Sequence, residues 1–331
     1  MRKRFARLIA GSLALTAALC FLVGAARAQS VPVIFDTDMG NDVDDALALA
    51  MLHALQSRGE CRLVGVTITK DNPWAAPYVD LVNTFYGRAH IPVGMVKGGV
   101  TPENSRMIQV PAERRRSDGS MVYPRRLASG AEAPEAVALM RRLLTAEKDQ
   151  SVVIVQVGFS TNLARLLDDA GDVELVRRKV KLLSVMAGNF AQAKAEFNVE
   201  KDTASARKLF EHWPGEIVVS GYEIGQAMLF PAVAIEKDFA WAVDHPVAEA
   251  YRTYMKMPYD RPTWDLTAAL YAVRPDGGYF GLSPRGKIVA DDKGMTHFQA
   301  APAGRHRYLV LGEEQRARTL ACMILLASQP R

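Results

Sequence analysis

Between Asp36 and Asp45 the chain places five aspartates, Asp36, Asp38, Asp42, Asp44 and Asp45, with no lysine or arginine among them. One or two carboxylates at a helix start are stabilised by its free N–H groups and dipole. Five exceed that need, and their mutual repulsion calls for a cation. Asp, Asn and backbone oxygens are hard donors, suited to calcium or magnesium. Taken alone, the segment also reads as a solvated acidic helix cap.

The elements around this turn give it a place. Val31, Val33, Ile34 and Phe35 read as a buried strand, and an Ala/Leu-rich stretch over 44–57 reads as a helix. The acidic turn therefore lies at the carboxyl end of a strand, the edge where open α/β sheets bind ligands. Short apolar runs recur at 31–36, 62–68, 91–95, 152–157, 181–186 and 216–220, with helical stretches at 44–57, 76–87, 134–147, 162–169 and 203–211. This alternation predicts an α/β fold, a mostly parallel central sheet with helices on both faces. Residues 246–256 and 264–273 also read as helical, and 286–310 as edge strands joined by a turn. The polar stretch 98–134, rich in Pro, Arg, Gly and Ser, reads as one long loop and a candidate lid.

The amino terminus reads as a targeting segment: MRKRFAR, an apolar run over 8–26, then Ala26-Arg27-Ala28. This pattern predicts a signal peptide over 1–28, cut after Ala28, and one mature domain over 29–331 that is exported, periplasmic or secreted, with no stable membrane anchor. The segment holds Arg2, Lys3, Arg4, Arg7 and Arg27 and no acid, so removing it lowers Lys+Arg from 41 to 36, equal to the 36 Asp+Glu. The whole-chain basicity then says nothing for nucleic acid, and no nucleic-acid partner is expected. Cys20 leaves with that segment. Cys61 and Cys322 remain, read as buried free thiols, and exclude a cysteine metal site.

With those elements in hand, Asp36-Thr37-Asp38-Met39-Gly40 and Asp44-Asp45-Ala46 resemble the amino-terminal signature of the inosine–uridine-preferring nucleoside hydrolases, D-x-D-P-G-x-D-D-A. Met39 stands where that pattern has Pro, and the turn is two residues longer, which leaves Asp42 unassigned. Further matches follow in the same order. Val66 to Asn72 resembles the second strand and the Asn that reaches the sugar. Gly158-Phe159-Ser160-Thr161-Asn162-Leu163 resembles G-P-L-T-N-L. Met186-Ala187-Gly188-Asn189 and Ala195-Glu196-Phe197-Asn198 resemble M-G-G and A-E-F-N, and Trp264-Asp265-Leu266-Thr267 resembles the last motif. The resemblance spans about 31–275. Singly, each piece also reads as an ordinary helix cap or core aromatic.

The resemblance implies calcium-dependent hydrolysis of the N-glycosidic bond of ribonucleosides, giving free base and ribose for purine salvage. It implies Asp38, Asp45, Asp265 and the Thr161 carbonyl as calcium ligands, with Asp38 also the general base toward water. Asp44, Asn72, Asn189, Glu196 and Asn198 would bind the ribose, and Asp36 would orient the loop. Calcium accepts six to eight oxygens, which leaves room for water and sugar hydroxyls beside the protein ligands, and a bound metal lowers the pKa of its water. Where some members carry a His before the last Asp, this chain has Trp264, as purine-preferring members do. That favours purines stacked on Trp264. The resemblance also implies a homo-oligomer, dimer or tetramer. Two other readings stand beside it: hydrolysis of another N-ribosyl or sugar compound, and an idle nucleoside- or sugar-binding protein of the envelope. A phosphatase of the haloacid dehalogenase type shares D-x-D after a strand but wants Thr or Val where Gly40 stands.

Overall fold

The computed structural model describes residues 30–331, of which Val31–Arg331 form one compact unit. The predicted signal peptide, residues 1–28, lies outside the described residues. Strand β1 (Val31–Thr37) is the pivot of the sheet. It is buried from Pro32 onward because it pairs in parallel on both sides, with β2 (Cys61–Lys70) and with β4 (Val152–Gln156). Beyond β2 lies β3 (Val93–Val100), and beyond β4 lie β5 (Val180–Met186) and β6 (Ile217–Ser220), all parallel. A two-stranded pair, β7 (Leu229–Phe230) with β8 (Arg261–Pro262), stands apart from the main sheet.

The far edge is built from the tail. Strands β9 (Gly281–Leu282), β10 (Gly286–Ala290), β11 (Thr296–Ala300) and β12 (His306–Val310) follow, and β12 runs parallel beside β6 while β10 and β11 form an antiparallel hairpin. Along the sheet the order is β11-β10-β12-β6-β5-β4-β1-β2-β3. Strand order therefore reverses at β1 and β4, and a crevice opens between their carboxyl ends. The fold is the mostly parallel α/β sheet the sequence predicts.

Helix Asp44–Ser57 is apolar on every side between its acidic first turn and His53, and every residue from Asp44 to Leu55 is buried. It is enclosed by helices Trp264–Val273, Glu313–Ala327 and Pro246–Tyr254. A second apolar cluster, holding Ile34, Ile154, Leu183 and Ile217, fills the other face of the sheet. The two clusters fix the sheet from both sides, so the strand ends that carry the site have little room to shift.

The stretch 98–134 differs from the long loop and lid expected. It contains helix Arg106–Glu113 and a turn at Gly130–Glu132, and it buries Met107, Ile108, Ala112, Val122 and Tyr123. Arg126 ties it to Asp80 by an ion pair, with Nε–Oδ1 at 3.0 Å and Nη2–Oδ1 at 2.7 Å. Its apolar residues are few and separated by charge, and Pro111 sits inside the helix, which hides the helical period. Cys61 is a buried free thiol, but Cys322 is only half-buried, with its Sγ 3.2 Å from the Tyr279 hydroxyl.

Candidate active site

The carboxyl end of β1 turns at Gly40, where φ is +115° and a Cβ would meet Ile108 Cδ1 at 2.6 Å. Gly158, just beyond β4, closes on the same turn: a Cβ there would lie 2.4 Å from the Asp38 nitrogen. Glycine at both places lets the two strand ends converge. Asp38 stands ahead of helix Asp44–Ser57, whose first turn holds Asp44 and Asp45. Asp265 comes from the first turn of helix Trp264–Val273, and its N–H donates to Asp44 Oδ2 at 3.0 Å. Carboxylate oxygens of Asp44, Asp45 and Asp265 lie within 4.8 Å of one another.

Burial dominates the electrostatics of this group. It pushes the Asp38 carboxyl up to about 6, against the hydrogen bond donated by Asn41 Nδ2 to Asp38 Oδ2 at 2.7 Å. Burial, then the neighbouring carboxylates, holds Asp45 and Asp265 well above the usual range, and burial with Asp42 does the same to Asp44. Thr37 donates to Asp45 Oδ1, while Asp45 Oδ2 is buried with no protein partner. Lys70 is buried nearby, its Nζ donating to Asn41 Oδ1 at 2.8 Å and to the Thr101 carbonyl at 2.6 Å. One cation at the side of the turn does not neutralise four carboxylates. An all-oxygen donor set, crowded, desolvated and with an orphaned oxygen, fits a hard divalent cation.

Asp38, Asp44, Asp45 and Asp265 line one cavity of about 380 Å³ together with Asn189, Glu196, Asn198 and Trp264. Glu196 caps helix Phe197–Lys201, accepting from the N–H groups of Asn198 and Val199, and reaches Gly188 N at 3.0 Å. Burial raises its carboxyl to about 7. Asn198 Nδ2 donates to the Val157 carbonyl at 2.7 Å, so the end of β4 sets its position. Asn189 Oδ1 accepts from the N–H groups of Ala191 and Gln192, which folds the short loop behind it. Trp264 Nε1 donates to the Tyr222 carbonyl at 2.9 Å, and the two rings stack with centroids 5.4 Å apart.

A family model described as inosine-uridine preferring nucleoside hydrolase matches residues 33–321. The chain belongs to that family. It is a hydrolase of ribonucleoside N-glycosyl bonds. Over 253 residues it is 29% identical to the pyrimidine-specific ribonucleoside hydrolase RihA of Shewanella sp. (strain MR-7), covering 73% of this chain and 74% of that protein. The fold matches the crystal structure of the inosine-uridine preferring nucleoside hydrolase from Bacillus anthracis with a TM-score of 0.69 at 19% identity, over 90% of this chain and 99% of that one. It also matches the purine-preferring ribonucleoside hydrolase from Gardnerella vaginalis, with a TM-score of 0.67 at 18% identity, over 90% and 98%.

Within this family site, two residues expected from the sequence stand away from the cavity lining. Asn72 Nδ2 donates to the carbonyls of Pro102 and Glu103, bracing the segment after β3 instead of reaching the sugar space. Thr161 begins helix Thr161–Leu166, and its hydroxyl donates to Asp202 at 2.5 Å, a bond that does not engage the backbone carbonyl expected as a ligand. The closest oxygen cluster includes Asp44, which the resemblance gave to the ribose, and leaves out Asp38. The reason is the bond from Asp265 N–H, which draws the Asp44 carboxylate toward the last ligand. Asp36 lies beneath the cluster, accepting from Thr67 Oγ1 and Asn162 Nδ2 and so joining β1, β2 and helix Thr161–Leu166.

Sequence reasoning left Asp42 unassigned and missed Asn41, Lys194, Tyr222, Tyr254 and Arg261, all of which line the cavity. Asp42, from the longer turn, pairs with Arg261. Arg261 precedes the Trp264-Asp265 motif by three residues, the one signal in the sequence that would have marked it.

Proposed function

We propose that this hydrolase is calcium-dependent, that Asp38 is its general base, and that its base pocket favours purine nucleosides. The carrying observation is the convergence of Asp38, Asp44, Asp45 and Asp265 on one wall of the cavity. Asp45 and Asp265, shared by the family resemblance and the oxygen cluster, would hold calcium, with Asp38 and Asp44 beside them. When bound, the ion supplies a fixed positive charge that orients sugar hydroxyls and acidifies water.

The protein's own residues do the rest. Asp38 has Oδ2 fixed by Asn41, so its orientation is set before substrate arrives. Its carboxyl, raised toward neutrality by burial, is suited to accept a proton from water. Glu196 and Asn198, held by backbone groups, offer polar atoms to ribose hydroxyls. Negative charge around the ring stabilises the oxocarbenium-like transition state. The Tyr222–Trp264 stack supplies aromatic surface for a flat base, and the larger purine gains more from it. Export of the mature chain after cleavage at Ala28 rests on the leader pattern. A homo-oligomeric state rests on the family resemblance.

The test is a product assay with calcium against inosine, adenosine, uridine and cytidine. Base release is expected from all, with kcat/KM higher for the purines by about tenfold, corresponding to roughly 1–3 kcal/mol of stacking. A pyrimidine preference would overturn the purine reading. Asp38→Ala should lower turnover by about 10²–10⁴-fold with the fold kept. Parental turnover in that variant would remove Asp38 from the role of base.

A further inference from the structure

Arg261 lines the aspartate cavity, and two of its nitrogens are committed while one is not. Its Nε donates to Asp42 Oδ1 at 2.9 Å, and its Nη2 donates to Asp42 Oδ2 and, at 3.2 Å, to the Tyr254 hydroxyl. The guanidinium lies 5.1 Å from the Tyr254 ring centroid and 5.2 Å from that of Trp264. Two aromatic faces and a bidentate carboxylate thus fix both its plane and its rotation. Among the described residues no acceptor meets Nη1, and the side chain keeps 21% of its surface exposed. Burial opposes its charge, but the bonds to Asp42 outweigh this and hold it fully protonated.

We infer that Arg261 Nη1 is the hydrogen-bond donor to the departing base, with Asp42 as its positioning residue. The inference rests on the ribohydrolase reading above and deepens it. In the reaction the C1′–N bond breaks and its electron pair goes to the base. The oxygen of water bonds to C1′, and a water proton passes to Asp38. The base therefore carries negative charge, spread over its ring nitrogens and carbonyl oxygens. Among the described residues no histidine lines the cavity to protonate it. A guanidinium keeps its own protons, so Arg261 stabilises the anion by a charged hydrogen bond, and the base takes a proton from solvent after it leaves. Lys194 also lines the cavity, but it is exposed on a flexible stem, and its one aromatic contact, with Nζ 5.8 Å from the Tyr222 ring centroid, has no carboxylate beside it to fix its direction. A donor fixed in advance is the one that lowers a barrier. The substrate class is a neutral heterocycle with an acceptor conjugated to the glycosidic nitrogen, which purines and pyrimidines both satisfy. The insertion that lengthens the acidic turn thereby acquires a purpose: it brings Asp42 to Arg261.

The test compares inosine and uridine with p-nitrophenyl β-D-riboside, whose phenolate is less basic and departs with less help. Arg261→Met in the full chain should lower kcat on both nucleosides by about a hundredfold or more, the loss typical of one removed charge-stabilising donor, and lower kcat on the nitrophenyl riboside by under about tenfold. Asp42→Asn keeps the side-chain size and should lower nucleoside kcat about tenfold, again sparing the nitrophenyl riboside. A loss of equal size on all three substrates, or one confined to KM, overturns the inference. Failure of the parent chain to release base from any nucleoside overturns the ribohydrolase reading, and this inference with it.

Discussion

Two sets of buried aspartates in this molecule solve the same electrostatic problem in opposite ways. Asp80, in helix Ala75–Phe85, is fully buried but saturated. The Arg126 guanidinium bonds Oδ1, and the N–H groups of Arg126 and Leu127 bond Oδ2. Asp38, Asp44, Asp45 and Asp265 are equally buried and crowd one another, and Asp45 Oδ2 has no protein donor at all. A buried carboxylate is tolerated when a cation and hydrogen bonds replace its water. Asp80 carries its own replacement within the chain. The cluster does not, and the missing charge must come from outside.

The comparison breaks most sharply at Arg126. Arg126→Met leaves Asp80 buried with only backbone donors, so destabilisation of about 3–5 kcal/mol is expected. Asp80→Ala should cost less, because Arg126 is half exposed and regains water. Denaturant midpoints of the two variants measure the order, and the reverse order would show that Asp80 is held by packing alone. Next in size is the ion. Calcium at about a hundred times its dissociation constant should stabilise the parent chain by about 2.7 kcal/mol, since only the folded cluster gathers the ligands. Arg126→Met should keep that increment and Asp265→Ala should lose it. A thermal midpoint indifferent to calcium and to chelator would exclude the ion from the cluster.

What could be read from the sequence divides along the same line. Strands and helices around β1 were legible because their apolar runs are continuous, as in Val31–Phe35 and in Ala46–Leu52. The acidic turn was legible as a charge excess needing a cation. Partnerships between distant residues were not. Nothing local pairs Asp42 with Arg261 across the length of the chain, or turns Asn72 away from the sugar toward Pro102 and Glu103. The segment 98–134 was misread because its buried residues, Met107, Ile108 and Val122, are interrupted by arginines that reach outward to Asp80 and Glu249. In helix Glu313–Ala327 only the apolar stretch around Cys322 reads as helical, because the buried positions, Thr319, Met323 and Leu326, form a thin stripe among polar and exposed residues.

The finest test of the comparison removes charge from the crowded set without removing volume. In the absence of calcium, each ionised carboxylate there raises the free energy of the folded state, through burial first and then through its neighbours. Asp45→Asn deletes one such charge while keeping an oxygen for Thr37 to donate to. In chelator at neutral pH it should therefore be more stable than the parent, by on the order of 1–2 kcal/mol, although most substitutions at buried polar positions destabilise. The same variant should lose the calcium increment and most turnover, a trade of function against stability expected where a site holds like charges together. If Asp45→Asn were instead less stable than the parent in chelator, the cluster would be self-sufficient, as Asp80 is, and its aspartates would be hydrogen-bonded structure rather than a seat for a cation.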